Sequence, residues 1–228
     1  MMHRTALVIM AKAPQPGSVK TRLCPPLSYP EAADLYRCFL LDTIAKARTL
    51  SNVRLLLAYT PTSSKDFFAA LAPDATLMPQ QGDDLGDRMA VCFTRSFALG
   101  YHRVLLIGSD LPTLPADYLQ QAVALAAKPL IDLVIGPSED GGYYLIGLRR
   151  LHRALFDNMP WSTDNVFAET VRRAEASGLH VARLPPWYDV DTPADLKRLR
   201  ANLTRQANST GRHTLQFLHD QAKKRNIL

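Results

Sequence analysis

Cysteine is scarce: Cys24, Cys38 and Cys92 are the only three in 228 residues. Their odd number, wide spacing and lack of any Cys-x-x-Cys pair exclude a disulfide framework and a cysteine zinc site. They read as reduced thiols, two of them in predicted helices. No apolar run reaches the roughly 18 residues needed to span a bilayer. The run Ala6–Met10 is short and leads into a polar loop without a small-residue cleavage site. It reads as a buried first strand rather than a secretion signal, so the protein is expected in the cytoplasm. Internal repeats and low-complexity linkers are also missing. No Gly-x-Ser-x-Gly elbow or Cys/His pairing supports hydrolase chemistry. His3, His102, His152, His180, His213 and His219 have no ligand-like spacing, and none is assigned a role.

The chain is 47% hydrophobic and 21% charged, enough for one substantial core. Its formal charge of +6 raises the question of nucleic acid. The cations are dispersed, however, with clusters only at Arg149-Arg150 and Lys223-Lys224-Arg225, and no helix-turn-helix, RNA-recognition or zinc-finger pattern accompanies them. No nucleic-acid partner is expected. A modest pull on phosphorylated small molecules suits this charge equally well.

Strand-like and helix-like segments alternate, which predicts a three-layer α/β/α sandwich around a mainly parallel, Rossmann-like sheet. Strands are expected at Thr5–Met10, Val53–Tyr59, Thr76–Met78, Val104–Ile107, Asp132–Ile135, Tyr143–Ile146 and Val181–Leu184, with a short one at Tyr188–Val190. Ser28 and Glu31 form a capping box that opens a helix running to about Leu50. Further helices are expected at Leu85–Leu99, Pro115–Ala127, Asp164–Ser177 and Pro193–Leu203. Gly100 suits the end of the first of these, and Thr192-Pro193 the start of the last. Residues 1–203 read as one domain. After them comes a polar stretch and a short amphipathic helix at Thr214–Lys224, an appendage expected to pack on the domain or on a partner subunit in a homo-oligomer.

Four stretches carry the chemistry. After the first strand, Lys12, Gly17, Lys20 and Arg22 fall within eleven residues. Gly17 lets the backbone bend close to a ligand, and the three cations can neutralise a diphosphate. The loop is neither a Walker loop nor a Gly-x-Gly-x-x-Gly fingerprint. After the Val104–Ile107 strand, Gly108-Ser109-Asp110-Leu111-Pro112 puts a carboxylate where a divalent metal can bridge to phosphate; turn capping is the plainer alternative. In Asp189-Val190-Asp191-Thr192, extended geometry puts both aspartates on one face just before a helix start. Such crowding favours a shared cation, while Asp191 can equally serve as a cap. In Asp140-Gly141-Gly142-Tyr143 a hairpin turn doubles as an acceptor or sugar loop, with Asp140 binding hydroxyls or acting as a base and Tyr143 stacking. The stretch from Gln81 to Met89 opens a helix with an acidic first turn that capping alone explains, and Gln81 and Arg88 are candidates to reach a nucleotide. Ser162 and Thr163 read first as helix caps and second as phosphate or sugar ligands.

In this order, the motifs resemble the GT-A, or nucleotide-diphospho-sugar transferase, superfamily, over roughly residues 5 to 200. The stretches are Ala11-Lys12-x-Pro14-x-x-Gly17-x-Val19-Lys20-Thr21-Arg22-Leu23, Gly82-Asp83-Asp84-Leu85-Gly86-x-Arg88-Met89, Gly108-Ser109-Asp110-x-Pro112, Pro137-x-x-Asp140-Gly141-Gly142-Tyr143, Trp161-Ser162-Thr163 and Asp189-Val190-Asp191-Thr192. The nearest likeness is to a small bacterial group labelled as glycosyltransferases of the arsenosugar-biosynthesis type. The chain also looks like guanylyltransferases that load phospholactate or the molybdenum cofactor. It departs from a typical glycosyltransferase in having Ser109-Asp110 in place of a literal Asp-x-Asp.

The resemblance implies a nucleotide or nucleotide sugar held by the first loop and a small-molecule acceptor. Lys12, Gly17, Lys20, Arg22, Gln81 and Arg88 would bind the nucleotide. Asp110, Asp189 and Asp191 would hold Mg²⁺ or Mn²⁺, and Asp140, Gly141, Gly142, Tyr143, Ser162 and Thr163 would meet the acceptor. Asp110, Asp140 and Lys20 would be catalytic. The reaction implied is glycosyl transfer, with nucleotidyl transfer releasing pyrophosphate as the alternative and a non-catalytic nucleotide-binding protein as a third reading.

Overall fold

A computed structural model describes residues 5–205 and 211–224. The first four residues, with His3, and the stretch 206–210 of the polar segment lie outside the described residues, as does Arg225. Seven strands form one sheet: β1 Thr5–Lys12, β2 Val53–Thr60, β3 Thr76–Pro79, β4 Arg103–Ile107, β5 Leu133–Pro137, β6 Tyr143–Leu148 and β7 Val181–Arg183. Their spatial order is β3-β2-β1-β4-β6-β5-β7, and β6 alone runs antiparallel to its neighbours.

The strands are apolar because both faces are covered. Leu7, Ile9 and Ala11 of β1 and Leu55, Leu57 and Tyr59 of β2 point into one core. Ala6, Val8, Leu56 and Ala58, the alternate residues, point into the other. The first face is packed by α1 Tyr29–Arg48, α2 Lys65–Leu71, α4 Ala116–Ala127, α6 Pro193–Arg205 and α7 Arg212–Lys224. The second is packed by α3 Leu85–Ala98 and α5 Val166–Ala176, where Phe93 meets Phe156. The fold is the three-layer α/β/α sandwich that the alternation of elements predicts.

Four details depart from expectation. The short α2 has too few turns to display a helical period and was not foreseen. The Tyr188–Val190 stretch joins no strand ladder; Pro185 and Pro186, which lack an amide donor, end β7 first. Only a bridge between Ser138 and Trp187 remains of the pairing. Ser162 and Thr163 do not cap α5, which starts at Val166 with Asn165 as its cap; Thr163 Oγ1 instead donates to the Pro160 carbonyl at 2.8 Å. The free amides expected beside the aspartate pair are also taken. Asp195 Oδ2 accepts from the backbone nitrogens of Asp191 and Thr192 at 3.1 and 2.7 Å, closing the start of α6.

Helix α7 packs against α1 through a buried carboxylate. Asp42 accepts from the backbone nitrogens of His213 and Thr214, each at 2.9 Å, and from Thr214 Oγ1 at 2.6 Å. Removing such a cap costs about 1–2 kcal/mol. We therefore expect Asp42→Ala to lower the urea unfolding free energy by that amount and to speed amide exchange in residues 212–224. Unchanged exchange there would mean that α7 is held by its apolar face alone.

Candidate active site

The strand order reverses between β1 and β4, so their carboxyl ends open a crevice in which α/β proteins bind ligands. The loop after β1 and the turn after β4 face each other across it. Gly17, at φ 76°, turns the first loop, and Lys20 follows in the left-handed region at φ 50°. That strained backbone delivers the Lys20 side chain inward, where it is 4% exposed. Its Nζ sits 2.8 Å from Asp110 Oδ2 and 2.7 Å from Asp191 Oδ1, with the Phe39 ring 5.9 Å away. Burial alone would lower the pKa of this ammonium, but the two carboxylates more than reverse that and raise it.

The other predicted residues are placed as follows. Lys12 Nζ donates to the Ser18 carbonyl at 2.9 Å. Arg22 is 72% exposed and stands 4.0 Å from Asp191. Arg88 donates from Nε to the Gly82 carbonyl at 3.2 Å and lines a cavity between β1, β4 and α3. Gln81 is turned away, its Oε1 held by Arg95; the neighbouring Gln80 lines that cavity instead, anchored through Nε2 to the carbonyls of Ala11 and Ala58. Asp189 Oδ2 accepts from Ser138 Oγ at 2.5 Å. Burial, with the charges of Asp110 and Asp140 adding to it, pushes this carboxyl up to about 7. Asp140 Oδ1 accepts from the Gly142 nitrogen at 3.0 Å. Gly141, at φ 89°, lies so close to the Asp164 backbone that a Cβ would stand 2.0 Å from the Asp164 oxygen, which welds the Ser138–Gly142 turn to the loop before α5.

Three cavities share walls at this edge. The smallest, about 240 Å³, is ringed by Lys12, Lys20, Arg22, Tyr36, Asp110 and Asp191. The second, about 370 Å³, extends from it past Gln80, Arg88 and Met89 to Tyr143. The third, about 470 Å³, lies on the far side, bounded by Asp140, Tyr143, Trp161, Ser162, Thr163, Asp164 and Asp189, with Arg22 and Asp191 common to the first.

Donor chemistry decides whether a divalent cation suits this place. Asp110 and Asp191 already converge on one positive charge, and a hard ion of the Mg²⁺ type needs only one or two protein carboxylates, with water and phosphate completing its shell. The pair fits that demand. Asp189 is turned to Ser138, and among the described residues no group of three or more His, Cys, Asp or Glu side chains is arranged to hold a metal ion.

Sequence reasoning missed the layer beneath. Tyr36 OH accepts from the Lys12 nitrogen at 3.1 Å and shares a 2.7 Å hydrogen bond with Ser109 Oγ, so α1 links the two loops. Lys46 donates to the carbonyls of Leu111 and Pro112, each at 3.3 Å, under the Asp110 turn. Val190 donates its amide to the Asp110 carbonyl at 3.2 Å. The only available signal was polar residues at Tyr36, Asp42 and Lys46 on an otherwise apolar helix face.

The fold is that of the nucleotide-diphospho-sugar transferases. A structure from Desulfovibrio desulfuricans G20, provisionally described as such a transferase, is 35% identical and superposes with a TM-score of 0.88 over 100% of this chain and 99% of its own. CMP:2-keto-3-deoxy-manno-octonic acid synthetase complexed with CTP is 14% identical, with a TM-score of 0.55 over 89% of this chain and 99% of its own. The inositol-1-phosphate CTP transferase from T. maritima is 13% identical, with 0.54 over 90% and 96%. These two share the fold alone. The chain belongs to the DUF2064 family, described as uncharacterized protein conserved in bacteria, whose model matches residues 43–163. No curated protein matches it. No helix among the described residues is long and apolar enough to cross a membrane.

Burial pushes the Lys46 ammonium from 10.5 down to about 7, against the upward pull of Asp42. Between those values the unfolded chain binds a proton that the folded chain excludes, so stability rises with pH across the window and is flat below it. Urea unfolding from about pH 7 to about pH 9 should therefore show wild type gaining on Lys46→Met by up to about 1.4 kcal/mol per pH unit. Parallel pH profiles would show that Lys46 keeps an ordinary pKa.

Proposed function

We propose that the protein transfers a glycosyl group from a nucleotide-diphospho-sugar to a hydroxyl of a small acceptor. The reading is carried by the cation-ringed cavity that joins a nucleoside-sized cavity on one side to a carboxylate-lined one on the other, with Asp110 and Asp191 between them. The diphosphate lies against Lys12, Lys20 and Arg22, and the nucleoside extends towards Gln80 and Arg88. Asp110 and Asp191 hold Mg²⁺ or Mn²⁺, which supplies charge neutralisation to the leaving diphosphate. Asp140 faces the acceptor, binding its hydroxyls or taking its proton. The description of the relative from Desulfovibrio desulfuricans supports the same class.

The charge of the largest cavity favours a hydroxyl acceptor. Asp140, Asp164, Asp189 and Asp191 line it against one guanidinium, Arg22. An acceptor bearing its own phosphate or carboxylate meets like charge there, whereas a hydroxyl finds groups that hydrogen-bond it. The cation-rich loop suits the rival reading, in which Lys20 and Arg22 steady a nucleoside triphosphate and pyrophosphate leaves.

The two reactions release different products. Incubation with panels of nucleotide sugars and of nucleoside triphosphates, each with Mn²⁺ and polyol acceptors, should yield a nucleoside diphosphate from the first panel. Pyrophosphate from the second would overturn glycosyl transfer in favour of the nucleotidyl reaction. Asp110→Asn should cut turnover by about a hundredfold or more while the protein stays folded; full activity would remove Asp110 from the site.

A further inference from the structure

Lys20 has two tasks that compete for one ammonium. As the protein stands, it neutralises Asp110 and Asp191 from within 2.8 Å of each, in a pocket that leaves it 4% exposed. In the proposed reaction it belongs to the diphosphate. The oxygens it holds, Asp110 Oδ2 and Asp191 Oδ1, are those a divalent ion would use. Two cations pressed against the same pair of oxygens repel each other, so both cannot keep full contact.

We propose that Lys20 is a resident stand-in cation which must be drawn off the two carboxylates before a divalent ion binds them, so that ion and diphosphate bind cooperatively. The inference rests on the phosphate-binding role given to Lys20 above, but not on which group is transferred. The carboxylates are 37% and 40% exposed, so an ion reaches them from the same 240 Å³ cavity that receives the diphosphate. A diphosphate entering that cavity offers Lys20 another anion. Every hydrogen bond moved from carboxylate to phosphate frees an oxygen for the ion. Linkage makes the effect reciprocal: the ion, by taking the carboxylates, releases Lys20 towards the diphosphate and tightens its hold by the same factor. An empty site meanwhile keeps its two carboxylates paired and has little appetite for metal alone.

The test uses Mn²⁺ itself, followed by the electron paramagnetic resonance signal of the free ion in titrations of the full-length protein. Lys20→Met keeps the length of the side chain and removes its charge. We expect Lys20→Met to bind Mn²⁺ alone about tenfold or more tightly than wild type, in the range usual for site-to-site coupling. Inorganic pyrophosphate, corrected for its own binding of Mn²⁺ in solution, should raise the affinity of wild type by a larger factor than that of the variant, in which only direct contact between phosphate and ion remains. Asp110→Asn in the Lys20→Met background should abolish the gain. If circular dichroism shows Lys20→Met unfolded, Lys20→Gln takes its place, and the wild-type response to pyrophosphate stands without either variant. Mn²⁺ binding that is equal or weaker in the folded variant overturns the proposal, as does a wild-type affinity that pyrophosphate leaves unchanged. Failure of the transfer reading is a separate result: no product from any donor, with the Mn²⁺ gain intact.

Discussion

The crevice at the carboxyl ends of β1 and β4 is organised by one buried ammonium, that of Lys20, and the two carboxylates it holds. Asp110 and Asp191 come from loops 90 and 171 positions further along the chain than Lys20, and the salt bridges bring all three loops to one point. The arrangement is costly to isolate. Burial would weigh against the charge of an unpaired lysine in that pocket, and two unpaired carboxylates held close together would repel. The buried lysine therefore depends on the two carboxylates. Lys20 reaches them from a backbone in the left-handed conformation, at φ 50°. The turn at Gly17 and the left-handed Lys20 backbone thus serve to aim a side chain.

Beneath the salt bridges, α1 acts as a frame. Tyr36 ties the Lys12 amide to Ser109, Phe39 lies below Lys20, Lys46 holds the carbonyls that follow Asp110, and Asp42 anchors α7. One helix thereby supports both sides of the crevice. The far wall is built differently. The Ser138–Gly142 turn is fixed by its own backbone bonds and by the contact of Gly141 with Asp164, and Ser138 orients Asp189. In the proposed reaction the charge-balanced wall would face the diphosphate and the far wall the acceptor.

Much of the fold was legible because its signals are local. Apolar runs at Val53–Tyr59 and Val104–Ile107 announce strands covered on both faces, and the Ser28/Glu31 pair announces α1. The Asp140-Gly141-Gly142 stretch announced the hairpin between β5 and β6, and hence the reversed strand. The Pro185-Pro186 pair should have cancelled the strand predicted at Tyr188–Val190, since prolines supply no ladder donors. Of the site, the residue types and the strand ends that carry them were readable. Which partner each chooses was not, because that depends on long-range geometry. Asp195 rather than Asp191 closes α6, Gln80 rather than Gln81 faces the cavity, and Lys20 faces carboxylates.

The handover of Lys20 from carboxylate to phosphate is visible most directly in a crystal structure of the protein grown with Mn²⁺ and a nucleoside diphosphate. The expected result is an anomalous manganese peak bonded to Asp110 and Asp191, with Lys20 Nζ moved onto a phosphate oxygen. A structure in which Lys20 still bridges both carboxylates while manganese and diphosphate sit elsewhere would contradict it.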